Sequence, residues 1–195
     1  PGPQALEALK QRNLTLESIW TVAWESIRYH DPQMRQWRAG WMHGSQRGAV
    51  KGGTPQDVTY DFALECARQD FCGGQFGAIL LDREKCFDRI VREIVEELNL
   101  AMGAPVLVTR ARFSLHAQTR NYFKIGKQFS DGFSRGNSVP QGLVFSMDDV
   151  NLLMNIFTKA VESKAVETRV KSFVDDCTLV STTNVVDSLS IAALE

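Results

Sequence analysis

Lys171-Ser172-Phe173-Val174-Asp175-Asp176-Cys177-Thr178-Leu179-Val180 sets two adjacent carboxylates between apolar, β-prone runs. This pattern predicts strands over 166–174 and 177–181, joined as a hairpin whose tight turn carries both acids. Like charges side by side are costly unless something neutralises them, and either water at a surface turn or a divalent cation does so. A second acidic cluster lies upstream, in Leu81-Asp82-Arg83-Glu84-Lys85-Cys86-Phe87-Asp88. There an apolar strand predicted over 76–81 ends abruptly on Asp82. If that strand neighbours the hairpin in one sheet, Asp82, Asp175 and Asp176 converge at one edge. Carboxylates gathered in this way suit hard, oxygen-liganded cations, Mg²⁺ above all.

Outward from these segments the pattern is mostly helical. Residues 14–29 place Leu16, Ile19, Trp20, Ala23 and Ile27 on one face of a helix that Asp31-Pro32 ends. The Gly-rich, cation-studded stretch 40–53 reads as a loop. Thr54-Pro55-Gln56-Asp57 has a capping hydroxyl, a first-turn proline and an acid three residues on, and starts a helix reaching about Gln69. Helices are predicted over 90–100, with Ile90, Val91, Ile94, Val95 and Leu98 inward, and over 106–116. A short hairpin turns about Gly126-Lys127. Ser146-Met147-Asp148-Asp149 is expected to cap a helix running to about Val161, and the last ten residues to begin another. Helices and hairpins in this order predict an α+β fold with an antiparallel sheet packed on helices, not a doubly wound one.

The chain has 195 residues, 44% apolar and 23% charged, with a formal net charge of −1. That is globular composition, long enough to bury a core. The charge is segregated: 98–130 holds no acid but contains Arg110, Arg112, Arg120, Lys124, Lys127 and His116, with Phe113, Tyr122 and Phe123 interleaved. Such a stretch is either a solvated face or a nucleic-acid contact. Cys66, Cys72, Cys86 and Cys177 form no Cys-x-x-Cys pair, which makes a zinc site unexpected and free thiols in a reducing, intracellular compartment (nuclear or cytoplasmic) the simpler reading. No apolar run reaches the ~18 residues of a membrane span, and no signal peptide is recognisable. The chain begins Pro1-Gly2-Pro3 without an initiator Met, so a fragment or processed piece is expected.

Three motifs in order resemble those of the reverse transcriptases of non-LTR retrotransposons and group II introns. Leu81–Asp88 is close to that family's LD-x-x-KAFD. Arg135-Gly136-Asn137-Ser138-Val139-Pro140-Gln141-Gly142 is close to its G-x-PQG. Phe173-Val174-Asp175-Asp176 is a form of its [YF]-x-DD. Gln46-Arg47-Gly48, with Lys51, faintly matches the Q-x-GF segment upstream. Departures are Leu143, where a small polar residue is usual, and Ala49, where an aromatic is usual. The resemblance covers roughly 40–185.

The resemblance implies a polymerase palm with partial fingers: 1–53 an N-terminal helical segment on the fingers side, 54–195 the palm core with about 90–145 fingers-like, and no thumb. It implies RNA-directed DNA synthesis from deoxynucleoside triphosphates on an RNA template and a DNA primer. Asp82 and Asp175 then ligate two Mg²⁺ ions (Mn²⁺ being an alternative), Arg83 adds its backbone carbonyl, and Asp176 tunes charge and geometry. Phe87 stands beside the sugar and excludes a 2′-hydroxyl. Gln141 and Gly142 line the nucleotide pocket, Phe173 packs near the primer terminus, and the cations of 98–130 meet the template. One alternative is an RNA-directed RNA polymerase, which favours Gly at the position of Val174. Another is a truncated, inactive retroelement fragment that at most binds nucleic acid.

Overall fold

The computed structural model describes residues 16–42, 44–182 and 190. In chain order the elements are α1 (Ile19–Tyr29), α2 (Pro32–Trp41), α3 (Pro55–Cys72), β1 (Gly77–Leu81), α4 (Cys86–Arg89), α5 (Arg92–Ala101), α6 (Val106–Gln118), β2 (Lys124–Ile125), β3 (Gln128–Phe129), α7 (Val144–Lys164), β4 (Thr168–Phe173) and β5 (Asp176–Ser181). The fold is α+β with antiparallel sheets, as the element order predicts. The helix expected at the chain's end lies outside the described residues.

Local chemistry accounts for several boundaries. Asp31 ends α1 and also caps α2, its carboxylate accepting from Gln33 N at 2.9 Å, with Pro32 at the first helical position. Asp31-Pro32 is thus the expected stop of one helix and, unanticipated from the sequence, the start of the next. Thr54 and Asp57 form the anticipated reciprocal capping box, and the hydrogen bonds from Thr54 hold the Asp57 carboxyl below its ordinary range. Gly73 closes α3 with φ 65.

The main sheet has the order β1-β5-β4, every pair antiparallel. Leu81 pairs with Cys177, and Phe173 with Asp176, leaving Val174 and Asp175 as the two-residue turn. Helix α7 packs on this sheet. Val150, Met154 and Val161 from the helix join Val170 and Leu179 from the strands in one core, with Ile90, Val95 and Phe113 beneath. Burying a side chain such as Leu179 stabilises the fold by about 2 kcal/mol. A second cluster joins Met34, Trp37 and Trp41 of α2 to Phe145 and Leu152 of α7, and Trp37 Nε1 donates to the Met102 carbonyl at 3.0 Å.

Three expectations need correction. The α1 face bearing Leu16, Ile19, Trp20, Ala23 and Ile27 is exposed, Trp20 by 81%. The inward face instead carries Glu25, fully buried and 3.1 Å from His116 Nε2, and Tyr29, edge-on to Phe145. The helix expected over 90–100 is interrupted at Ile90 and Val91. Ile90 is extended, and its carbonyl accepts from Ser138 N at 2.8 Å, so its backbone pairs across the chain. Ile90 and Val95 are buried, Leu98 is half-buried, and Val91 and Ile94 face out. Finally, Ser146–Asp149 does not cap α7, which begins at Val144.

Instead, Asp148 and Asp149 are buried inside α7 and tie it to other helices. Arg112 of α6 grips Asp149 with two nitrogens at 2.8 and 2.9 Å, and Asn99 of α5 donates to it at 3.1 Å. Arg38 of α2 reaches Asp148 at 3.4 Å and donates to the Tyr29 carbonyl at 2.6 Å. Burial raises the Asp148 carboxyl to about 7, outweighing the opposing pull of Arg38. A carboxyl raised in the folded state binds its proton more tightly there than in the unfolded chain. Asp148 therefore favours folding fully below about pH 4, and that contribution is lost as pH rises towards about 7. Asp148→Asn is expected to flatten this decline, worth on the order of 4 kcal/mol, and to be the more stable form above pH 7. Denaturant titrations of both proteins between pH 4 and 8 check this.

Candidate functional site

The pairing register builds the site. Asp82 follows Leu81, whose partner is Cys177, so Asp82 emerges beside Asp176, the first residue of β5. Asp175 sits in the adjoining turn. Burial, then Asp175, then Asp82 raise the Asp176 carboxyl, the electrostatic trace of like charges meeting at this edge. Arg83 Nη1 donates to the Asp175 carbonyl at 3.2 Å, and its guanidinium lies 4.8 Å over the Phe157 ring. One arginine thus joins the exit of β1, the acidic turn and α7.

The donor set is one of oxygens. Cys177 is buried, and burial pushes its thiol up to about 11, so it stays protonated at neutral pH. Burial, then the Asp175 charge, raise the Cys86 thiol as well. Carboxylate and carbonyl oxygens are the donors that hard divalent cations prefer. Among the described residues no three His, Cys, Asp or Glu side chains are arranged to hold a metal ion by themselves.

Backbone bonds tie the other motif segments to the chain that follows Asp82 and to the acidic turn. Phe87 is half-buried against the main core, and its carbonyl accepts from Val139 N at 3.0 Å. With the Ser138–Ile90 bond, that holds the turn through Pro140, Gln141 and Gly142 against the segment following Asp82. Gln141 and Gly142 are exposed, and Gly142 has φ 106, which favours glycine. Phe173 is half-buried, packs on the core and pairs with Asp176.

Of the cations proposed to meet nucleic acid, Arg110, Arg120, Lys124 and Lys127 are exposed. Arg112 is not: it is 3% exposed, and its guanidinium is committed to Asp149 and lies near the Phe113 and Phe145 rings. Its place is in the core. The β2–β3 hairpin carries Tyr122, Phe123, Ile125 and Phe129 on its surface, and Lys124 Nζ lies 5.6 Å over the Phe129 ring.

Sequence reasoning gave no structural role to the loop at 45–48. Gln46 bridges to Ser172 of β4, and Arg47 N donates to the Ser172 carbonyl at 3.1 Å. Asn151 of α7 donates to the Gly48 carbonyl at 2.8 Å. The visible signal was Gln46-Arg47-Gly48 itself; Asn151 gave none.

No protein-family model and no curated protein matches the chain. Solved structures do. Telomerase from Candida tropicalis, in complex with the TWJ fragment of telomeric RNA, matches with a TM-score of 0.59 and 13% identity over 86% of this chain and 31% of that one. Apo telomerase from the same organism, truncated from its C-terminal domain, matches with a TM-score of 0.54 and 15% identity over 92% of this chain and 40% of that one. At such identity the likeness shows a shared fold. The chain spans about a third to two-fifths of the length of these neighbours.

The thiols give a direct test of the site. Iodoacetamide at pH 8 should label exposed Cys72 readily, whereas Cys177 should react at least ~100-fold more slowly than an ordinary exposed thiol. Peptide mass spectrometry reads both. Rapid labelling of Cys177 in the folded protein would show that β5 is not packed as described.

Proposed function

We propose that the chain is the catalytic core of an RNA-directed DNA polymerase of the non-LTR type. The observation that carries this is the register of β1 and β5, which brings Asp82 beside Asp175 and Asp176, while backbone bonds tie Ser138 and Val139, just before Gln141-Gly142, to Ile90 and Phe87. The fold shared with telomerase supports the same reading. In this reading Asp82 and Asp175 hold the divalent cations, the Arg83 carbonyl contributes an oxygen, and Asp176 adjusts the local charge. When bound, Mg²⁺ or Mn²⁺ supplies acidification of the primer 3′-hydroxyl and charge neutralisation on the leaving pyrophosphate. The Arg83 side chain keeps the Asp175 backbone in place. Phe87 closes the pocket to a 2′-hydroxyl, Gln141 and Gly142 cradle the incoming deoxynucleotide, and Phe173 supports the primer end. The part with palm character is 54–195, with about 90–145 fingers-like.

Primer extension on oligo(dT)–poly(rA) with Mg²⁺ or Mn²⁺ tests the reading. Asp82→Ala, and separately Asp175→Ala with Asp176→Ala, should lower incorporation at least ~10³-fold, about 4 kcal/mol in barrier, with the thermal melt preserved. Wild-type-like extension by either variant would sink the assignment. A preference for ribonucleotides would shift it to an RNA polymerase.

The β2–β3 hairpin is the template contact in this reading. It combines exposed rings with Arg120, Lys124 and Lys127, a pairing suited to unpaired bases on a polyanion. Lys124→Ala with Lys127→Ala should weaken single-stranded RNA binding and reduce the slope of log affinity against log salt by about 1.4, two phosphate contacts at ~0.7 each. Fluorescence anisotropy across a salt series measures this, and an unchanged slope would remove the hairpin from the interface.

A further inference from the structure

The turn that presents Asp175 is strained, and the strain has a visible restraint. Of its two residues, Val174 takes φ 58. A β-branched residue is a poor occupant of that region and persists there only when its surroundings hold it. Two-residue hairpin turns that need a positive φ at their first position favour Gly, Asn or Asp there, not a β-branched residue. Left to itself, a turn through Val174 would relax to another shape and carry Asp175 with it.

The loop at 45–48 prevents this. It lies along the outer edge of β4, with Arg47 N donating to the Ser172 carbonyl at 3.1 Å and Ser172 N to the Ser45 carbonyl at 3.3 Å. Gly48 then passes directly against the turn: a Cβ there would stand 2.6 Å from Val174 N and closer still to Cγ2. No other residue type allows that approach. Gly48 is in turn held from behind by Asn151, which is 0% exposed and donates to its carbonyl at 2.8 Å. Val174 itself is buried, so the turn is fixed from the loop side and from the core side.

We propose that Gly48 and Asn151 are positioning residues for the paired aspartates: the loop, tethered to α7 by Asn151, clamps Val174 in its left-handed conformation and so fixes Asp175 and Asp176. Neither residue touches the reacting atoms. The proposal rests on the polymerase reading for its catalytic consequence, but its structural content can be measured without it.

Hydrogen exchange read by mass spectrometry on peptides covering 170–180 tests the clamp, using Gly48→Ala and Asn151→Ala with the thermal melt as a check on folding. Both variants should exchange at least ~10-fold faster at 172–177, with the C-terminal half of α7 and the other helices unchanged. In primer extension, kcat should fall by about 100-fold, the effect of displacing a reacting group by roughly 1 Å, with KM for primer–template unaltered and more Mg²⁺ needed for half-maximal rate. Val174→Gly supplies the rescue arm: glycine holds a positive φ unaided, so Asn151→Ala should cost several-fold less kcat in that background. Unchanged exchange at 172–177, a uniform rise over the whole sheet, or an equal cost of Asn151→Ala in both backgrounds would each overturn the clamp. If the wild-type chain synthesises no DNA, the exchange data still decide the clamp, and the failure falls on the polymerase reading alone.

Discussion

The antiparallel pairing of β5 with β1 on one side and β4 on the other is the constraint from which the rest follows. Side chains alternate along a strand, so a one-residue slip would turn Leu179 and Cys177 outward and separate Asp82 from Asp176. The same register buries Val170 and Leu179 against α7. Core packing and the meeting of the carboxylates are therefore one condition. Apolar burial stabilises the arrangement, and part of that gain offsets the repulsion among the acids.

Helix α7 is the second organising element, and an unusual one, because much of its buried face is polar. Asp148, Asp149, Asn151, Asn155 and Thr158 are all buried. Charges out of water are costly, and for Asp148 the nearby Arg38 offsets burial only in part, which leaves its carboxyl raised to about 7. What such groups confer is directional. Arg112 can grip Asp149 with two parallel bonds in one orientation only, and Asn151 reaches a single carbonyl. Apolar residues in their place would hold α7 in the core without fixing its rotation.

Much of this was legible in the sequence where the signal was local. The Thr54–Asp57 cap, the turn at Gly126 and the acidic hairpin each depend on a few neighbouring residues whose chemistry admits little else. The strand ending on Asp82 was readable for the same reason. What failed depended on distant partners. Arg112 looks like one more surface cation until Asp149, far along the chain, is placed beside it. The stripe through Ile19, Trp20 and Ile27 has helical spacing, yet Glu25 and Tyr29 turn inward because His116 and Phe145 await them. Ser146–Asp149 has the composition of a cap, but its acids find arginines instead of helix-end amides. The break at Ile90 was hidden because its cause is a backbone bond to Ser138.

Strand β1 stands at the edge of the sheet, with β5 on one side and no strand on the other among the described residues. Its Leu80 is 76% exposed. A short, apolar strand with one row of backbone donors and acceptors unclaimed by any strand is a template for adding another. For a preparation of this chain the practical reading is colloidal: self-association should rise with concentration, begin at β1, and compete with access to the very edge on which Asp82 lies.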